Sequence, residues 1–241
     1  MSYGKMAQVY DRLMADAPYD QWEAYTSHML KTYHPNAKRI LDLGCGTGEI
    51  TRRLHEKGFL MTGVDLSEDM LTIAEQQSSS AIQWLNQDIT NLEGLADYDC
   101  VISFCDVINY LTEEEQVKAT FSNAYTALSA SGMFLFDVHS VEHVTEDLYG
   151  QTFAEVYDDL SYIWFCDPAN EPNSVIHDLT FFVQDQAQYQ RFDEQHKQRA
   201  YPAQKLKQWI QEAGFNLLQI HADFDTTPSD RGDRLFFVCQ K

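Results

Sequence analysis

The chain has 241 residues, with 44% hydrophobic and 13% aromatic content, enough for one buried core with or without a sizeable insertion, so disorder is excluded. Its net charge of −20 works against nucleic acid as a partner, because a polyanion binder needs clustered cations to neutralise phosphates. Eleven acids and no lysine or arginine lie between Ala119 and Gln190, a field that favours a neutral or cationic small-molecule partner.

The N-terminus lacks the apolar h-region of a secretory signal, and no apolar run is long enough to span a bilayer. The five cysteines form no C-x-x-C pair, and most lie within apolar segments. Reduced core thiols, a cytoplasmic location and no metal site are expected, with the chain a monomer or homodimer.

The first ~33 residues read as helical, with Trp22, Tyr25, Met29 and Leu30 repeating on one side and Pro18 separating two short helices. An apolar run, Arg39 to Leu43, then leads into Gly44-Cys45-Gly46-Thr47-Gly48 and a helix-like segment. Strand, side-chain-free turn and helix N-terminus together seat a small ligand: glycine tolerates positive φ and lets a ligand approach the backbone, and the helix end favours an anionic group. The dinucleotide fingerprint requires a third glycine where Glu49 stands, which argues against a nicotinamide dehydrogenase.

The next strand, Phe59 to Asp65, ends in an acid placed to accept ribose hydroxyls, and a third, Ala81 to Leu85, is followed by Asp88. Ser67 is an N-cap for a helix over 68–76, and Thr112 opens a capping box with Glu115. Strands and helices alternate from Lys38 on, which predicts a parallel sheet covered on both faces. After the strand Met133 to Val138 the pattern changes to four strands: Phe153–Tyr157, Leu160–Cys166, Val175–Val183 and Ala187–Asp193. A helix ending at Gly214 and two strands, Phe215–Phe224 and Arg231–Cys239, close the chain.

The motifs LDLGCGTG, GVDLS, NQDI, DCVISF and SGMFLFD, in this order over roughly residues 39–138, resemble those of the class I S-adenosylmethionine-dependent methyltransferases. The resemblance implies an α/β, Rossmann-like, seven-stranded, mostly parallel doubly wound sheet with an inserted antiparallel β-sheet. Residues 1–36 would form a helical lid, 37–140 and 200–241 the cofactor-binding core, and 141–199 a cover over the acceptor site. It implies S-adenosylmethionine as cofactor and in-line transfer of its methyl to N or O of a small molecule. A protein or RNA methyltransferase, or a cofactor-binding protein without transfer, are the alternatives.

By the same resemblance the Gly44, Cys45 and Gly46 backbone lies against the methionine portion, and Asp65 takes the ribose hydroxyls. Leu66 and Met70 pack on adenine, and Asp88 and Ile89 meet its amino edge. Phe104 and Cys105 line the site, and Tyr10 reaches the ligand from the lid. For proton removal from an acceptor, the groups at the strand ends are His139 and Tyr110, with Asp106 and Asp137 beside them. His196 and Arg199, at the end of the insertion, are further groups able to face an acceptor.

Overall fold

The computed structural model describes residues 9, 12–14, 16–186 and 188–241. The first long helix, α1 (Tyr19–Tyr33), follows Pro18 and buries Trp22, Tyr25, Met29 and Leu30 along one stripe. The core then runs β1 (Arg39–Leu43), α2 (Glu49–Glu56), β2 (Leu60–Asp65), α3 (Glu68–Gln76), β3 (Gln83–Asn86) and β4 (Tyr98–Ser103). A short 3₁₀ turn (Val107–Tyr110), α4 (Glu114–Ala127) and β5 (Leu128–His139) complete its first part.

After a π-helical turn (His143–Leu148) come β6 (Gln151–Val156), β7 (Leu160–Pro168), β8 (Ser174–Asp185) and β9 (Gln188–Arg199). The chain returns through α5 (Ala203–Glu212), β10 (Asn216–Ala222), β11 (Asp225–Pro228) and β12 (Arg234–Gln240).

The large sheet has the order β11-β10-β12-β5-β4-β1-β2-β3. Strands β1 to β5 pair in parallel, and β12 enters antiparallel against β5. Period-two alternation sends neighbouring side chains to opposite faces. On β5, Phe134, Phe136 and Val138 pack with α4 and α5, whereas Met133 and Leu135 pack with α1 and α2. The sheet is therefore doubly wound, as its alternating strands and helices predict.

It carries eight strands where seven were expected. The extra one, β11, is a four-residue exposed edge joined to β10 by Asp223-Phe224. Both loop residues have positive φ (51° and 63°), the backbone of a tight hairpin turn. A polar Asp-Thr-Thr-Pro segment gives no apolar alternation by which to find it.

The inserted strands form a separate antiparallel sheet, β6-β7-β8-β9, between β5 and α5. Its last strand runs six residues beyond the expected Asp193, to Arg199. Two local expectations shift. The α4 capping box uses Glu113 and Gln116 rather than Thr112 and Glu115. Ser67 does cap α3, its Oγ accepting from the Met70 N–H at 3.3 Å.

Candidate active site

The glycine turn leaves β1 at the carboxyl edge of the large sheet. Gly44 (φ 75°), Gly46 (φ 55°) and Gly48 (φ 80°) all lie in the left-handed region. The three differ in why they lack a side chain. A Cβ on Gly44 would stand 2.5 Å from a Val107 methyl, and one on Gly48 would collide with the Trp84 indole. A Cβ on Gly46 would meet nothing within 4 Å. Two of the glycines thus serve packing, and the third opens bare backbone to empty space, as a ligand seat requires.

Asp65, the last residue of β2, fastens this loop. One carboxylate oxygen accepts the Gly46 N–H at 2.8 Å and the other accepts the Ser67 N–H at 2.8 Å. Burial raises its carboxyl above the ordinary value, opposed by these backbone donors. A carboxylate offers about four acceptor sites, so both oxygens keep capacity for ribose hydroxyls. Leu66, next along, is 70% exposed, an apolar platform beside the seat. An adenosine carrying a sulfonium fits this set: open backbone at Gly46, an acid with acceptor capacity, and an uncovered leucine.

The other expected contacts divide. Met70 and Phe104 are buried, Ile89 packs on the main core, and Cys105 is half-buried. Burial holds the Cys45 thiol well above its ordinary value, so it is no nucleophile. Asp88 is exposed, and its Oδ1 accepts from the Thr90 N–H and hydroxyl. Tyr10 lies outside the described residues.

Glu49 is satisfied within its own helix, paired to Arg52 and to Arg53 at 2.8 Å. Asp42, an acid inside an apolar strand, was not anticipated. It is buried with a 2.5 Å bond from the Thr51 hydroxyl. Burial, opposed by Thr51 and aided by Asp65, pushes its carboxyl up to about 7.

Beyond β4, Cys105 (φ 59°) and Asp106 (φ 55°) hold two consecutive left-handed conformations, uncommon for side chains with a Cβ. A buried ionic cluster fixes that turn. Fully buried Asp137 accepts the Asp106 N–H (2.8 Å) and the Trp22 indole N–H (2.7 Å), and lies 3.1 Å from Arg234. Arg234 donates to Asp106 at 3.1 Å and stands 3.2 Å from the His139 Nε2. Burial disfavours charge on Asp106, yet His139, Arg234 and Gln198 together hold its carboxyl well below the usual range.

Within this cluster His139 is a partner to ions. Its Nε2 faces Asp106 and Arg234, and its Nδ1 is buried without a hydrogen bond. Nε2 is thus engaged by the ionic cluster, and Nδ1 is the nitrogen left without a partner. Asp137 is fully committed. Tyr110 differs: it is 45% exposed, and its ring meets His196 of β9 edge-on at 6.0 Å. Burial lowers the His196 pKa, which keeps that imidazole neutral near pH 7.

Two side-chain amides dock the insertion onto this edge. Gln198 Nε2 donates to Asp106 at 2.6 Å, and its Oε1 lies 3.2 Å from the His177 Nε2. The Trp164 indole N–H donates to the other nitrogen of His177, fixing the neutral tautomer. Asn109 accepts the His139 N–H and donates to the Arg199 carbonyl at 3.1 Å. Neither amide carried a sequence signal, because each acquires its partner only through the fold. Arg199, by contrast, turns to the Thr112 carbonyl at 2.9 Å.

Comparison with known proteins bears on the family and the fold. Residues 40–132 match the family profile described as a methyltransferase domain. The chain is 48% identical over 250 residues to a protein of Geobacillus sp. (strain WCH70) named as a candidate methyltransferase, with 100% of both covered. An S-adenosylmethionine-dependent methyltransferase from Clostridium acetobutylicum ATCC 824 shares its structure at TM-score 0.88 and 28% identity, covering 100% of this chain and 99% of that one. The S-adenosylmethionine-bound amino pentose methyltransferase CalS10 of Micromonospora echinaspora shares the fold at TM-score 0.80 and 16% identity, covering 96% of each. The glycine turn, the sheet order and these likenesses converge: the chain belongs to the class I S-adenosylmethionine-dependent methyltransferases.

Proposed function

We propose that the protein methylates a nitrogen or oxygen of a small molecule held between the carboxyl edge of the large sheet and the inward face of the inserted sheet. The observation that carries this reading is the 2.6 Å bond from Gln198 to Asp106, which seats the insertion directly over the end of β4. The net charge of −20 argues against an RNA acceptor. CalS10, whose fold is shared, acts on an amino pentose, in keeping with a small acceptor here. The five cysteines are free, in keeping with a cytoplasmic location.

In this reading residues 37–140 and 200–241 form the cofactor-binding core and 141–199 the cover. Of the N-terminal segment, 1–36, α1 packs on the large sheet, and the described residues before it serve as the lid. Val9 and Leu13 pack against Leu160 and Phe181 of the insertion, and Arg12 pairs with Asp159 at 2.5 Å. S-adenosylmethionine supplies a methyl already activated on a sulfonium, with a neutral thioether as leaving group. The chain's own work is then alignment and exclusion of water. Asp65 and the Gly46 backbone orient the adenosine end, Leu66 and Met70 its base, and Asp88 the amino edge. We assign Tyr110, with neutral His196 beside it, to the acceptor's proton.

The test is transfer of label from methyl-labelled S-adenosylmethionine to a panel of amines, amino sugars and hydroxylated metabolites, beside tRNA and protein fractions. Label in small molecules alone is expected. Label confined to a macromolecule refutes the reading.

A further inference from the structure

Where β5 gives way to the insertion, the chain makes the π-helical turn His143–Leu148, an uncommon backbone that recurs at functional sites. Two hydrogen bonds stitch this turn to the segment entering β12. The Ser140 N–H donates to the Asp233 carbonyl at 2.9 Å, and the Ser140 hydroxyl accepts the His143 N–H at 3.0 Å. Asp223 clamps the same segment from its other side. Its carboxylate accepts the Arg234 N–H at 2.9 Å, and a Cβ on Gly232 would collide with it. The result brings together one imidazole and two carboxylates, from His143, Asp147 and Asp233. One ligand atom of each lies within 4.8 Å of the others.

The set is built as a cation site is built. His143 Nδ1 lies 3.1 Å from Asp147 Oδ2, and the His143 ring stacks on that of His139 with centroids 4.7 Å apart and planes at 21°. That stack fixes the direction of the imidazole. His143 is largely covered, whereas Asp147 and Asp233 are exposed, so the set has a protein side and a water side. The neighbouring guanidinium of Arg234 is turned to Asp106 and Asp137. Two carboxylates held this close in a chain of net charge −20 repel one another, and a dication removes that repulsion. One nitrogen with two oxygens is a transition-metal donor set, since magnesium and calcium sites are built from oxygen alone. Cysteine spacing gives no sign of such a site, because its ligands sit on two segments that meet only through the fold.

We propose that His143, Asp147 and Asp233 form a binding site for a divalent transition-metal ion of the zinc and manganese class, with water completing its shell. Zinc holds imidazole nitrogen and carboxylate oxygen at ~2.0–2.2 Å. Ligand atoms within 4.8 Å of one another close on such an ion through small rotations of the two exposed aspartates. The ion fastens the start of the insertion to β12, one stacked ring away from the His139, Asp106 and Arg234 cluster. It thereby stiffens the joint that carries the inserted sheet.

The test titrates Zn²⁺, Mn²⁺ and Mg²⁺ by calorimetry into chelator-stripped protein, with the melting temperature read beside each titration. Wild type is expected to bind Zn²⁺ most tightly and Mg²⁺ most weakly, the order that a nitrogen ligand imposes. Zn²⁺ should also raise the melting temperature, because the ion binds the folded set. His143→Ala and Asp233→Asn should each weaken Zn²⁺ binding at least about tenfold and remove that rise. Asp233→Asn alters only an exposed side chain, so it carries the test should His143→Ala disturb the turn. Glu146→Gln removes a charge from the same turn without touching the set, and should leave Zn²⁺ affinity within about twofold. No Zn²⁺ binding by wild type, binding that survives Asp233→Asn, or an equal loss in Glu146→Gln overturns the site. Mg²⁺ bound as tightly as Zn²⁺ overturns it too, because the imidazole is then no ligand.

Discussion

Replacing Asp65 by alanine tests the ribose assignment most directly. The carboxylate accepts two backbone N–H groups at 2.8 Å, from Gly46 and Ser67, and retains capacity for a ribose. A hydrogen bond to a charged acceptor contributes ~1.5–3 kcal/mol. The Gly46 N–H borders open space, so water replaces the lost carboxylate in the free protein. The ribose hydroxyls recover no such partner once enclosed. The loss should therefore fall mainly on binding, at about ten- to a hundredfold. Calorimetry with S-adenosylmethionine and S-adenosylhomocysteine should show a loss for both, since both carry the same ribose. Asp65→Asn, which keeps the shape and one oxygen, should fall between. An unchanged affinity for S-adenosylhomocysteine, or a loss confined to the sulfonium form, would refute the reasoning and move Asp65 to the methionine end.

Asp42 gives a pH prediction. Its carboxyl titrates at about 7 in the fold against an ordinary 3.8, so between those values the unfolded chain loses the proton first. Stability should fall as pH rises through that window and level off above 7, by roughly 4 kcal/mol. Asp42→Asn should gain in melting temperature over wild type as pH climbs from 4 to 7; a pH-independent gap would contradict this. Gly46→Ala should cost little stability, about 1 kcal/mol for a left-handed residue, yet weaken cofactor binding in calorimetry. Gly48→Ala should lower the melting temperature clearly, because its methyl meets the Trp84 indole. Arg234→Met strands Asp106 and Asp137, and breaking a buried pair from one side costs ~3–5 kcal/mol. Urea unfolding measures it, and an unchanged midpoint would show the cluster to be unimportant.

The sequence was most legible where local chemistry and global fold agree. Ser67 caps the helix its position predicts, and strands β1, β2, β4 and β5 follow apolar runs that stay apolar because both faces are buried. The glycine turn could be located from spacing, but not the separate duties of its three glycines. Those depend on Val107 and Trp84, which lie far along the chain. The acceptor side was less legible for the same reason. His139 is a candidate base from the sequence because it ends a strand. Antiparallel pairing then sets Arg234 opposite it, and the Asp106 turn adds a carboxylate. Asp106, Asn109, Gln198 and Arg234 carry no motif; long-range register alone makes them neighbours.

Four strands deliver acids toward one edge of the sheet: Asp42 in β1, Asp65 ending β2, Asp106 just beyond β4, and Asp137 near the end of β5. Arg234 sits between the last two and offsets part of their charge, leaving the edge with an excess of carboxylate. Charges in a poorly solvated setting act over longer range than in water. Such a field favours a donor carrying a sulfonium over the neutral thioether that remains once the methyl has gone. Donor preference then has a physical origin in the placement of acids at the carboxyl ends of the strands, with no contact to the methyl itself.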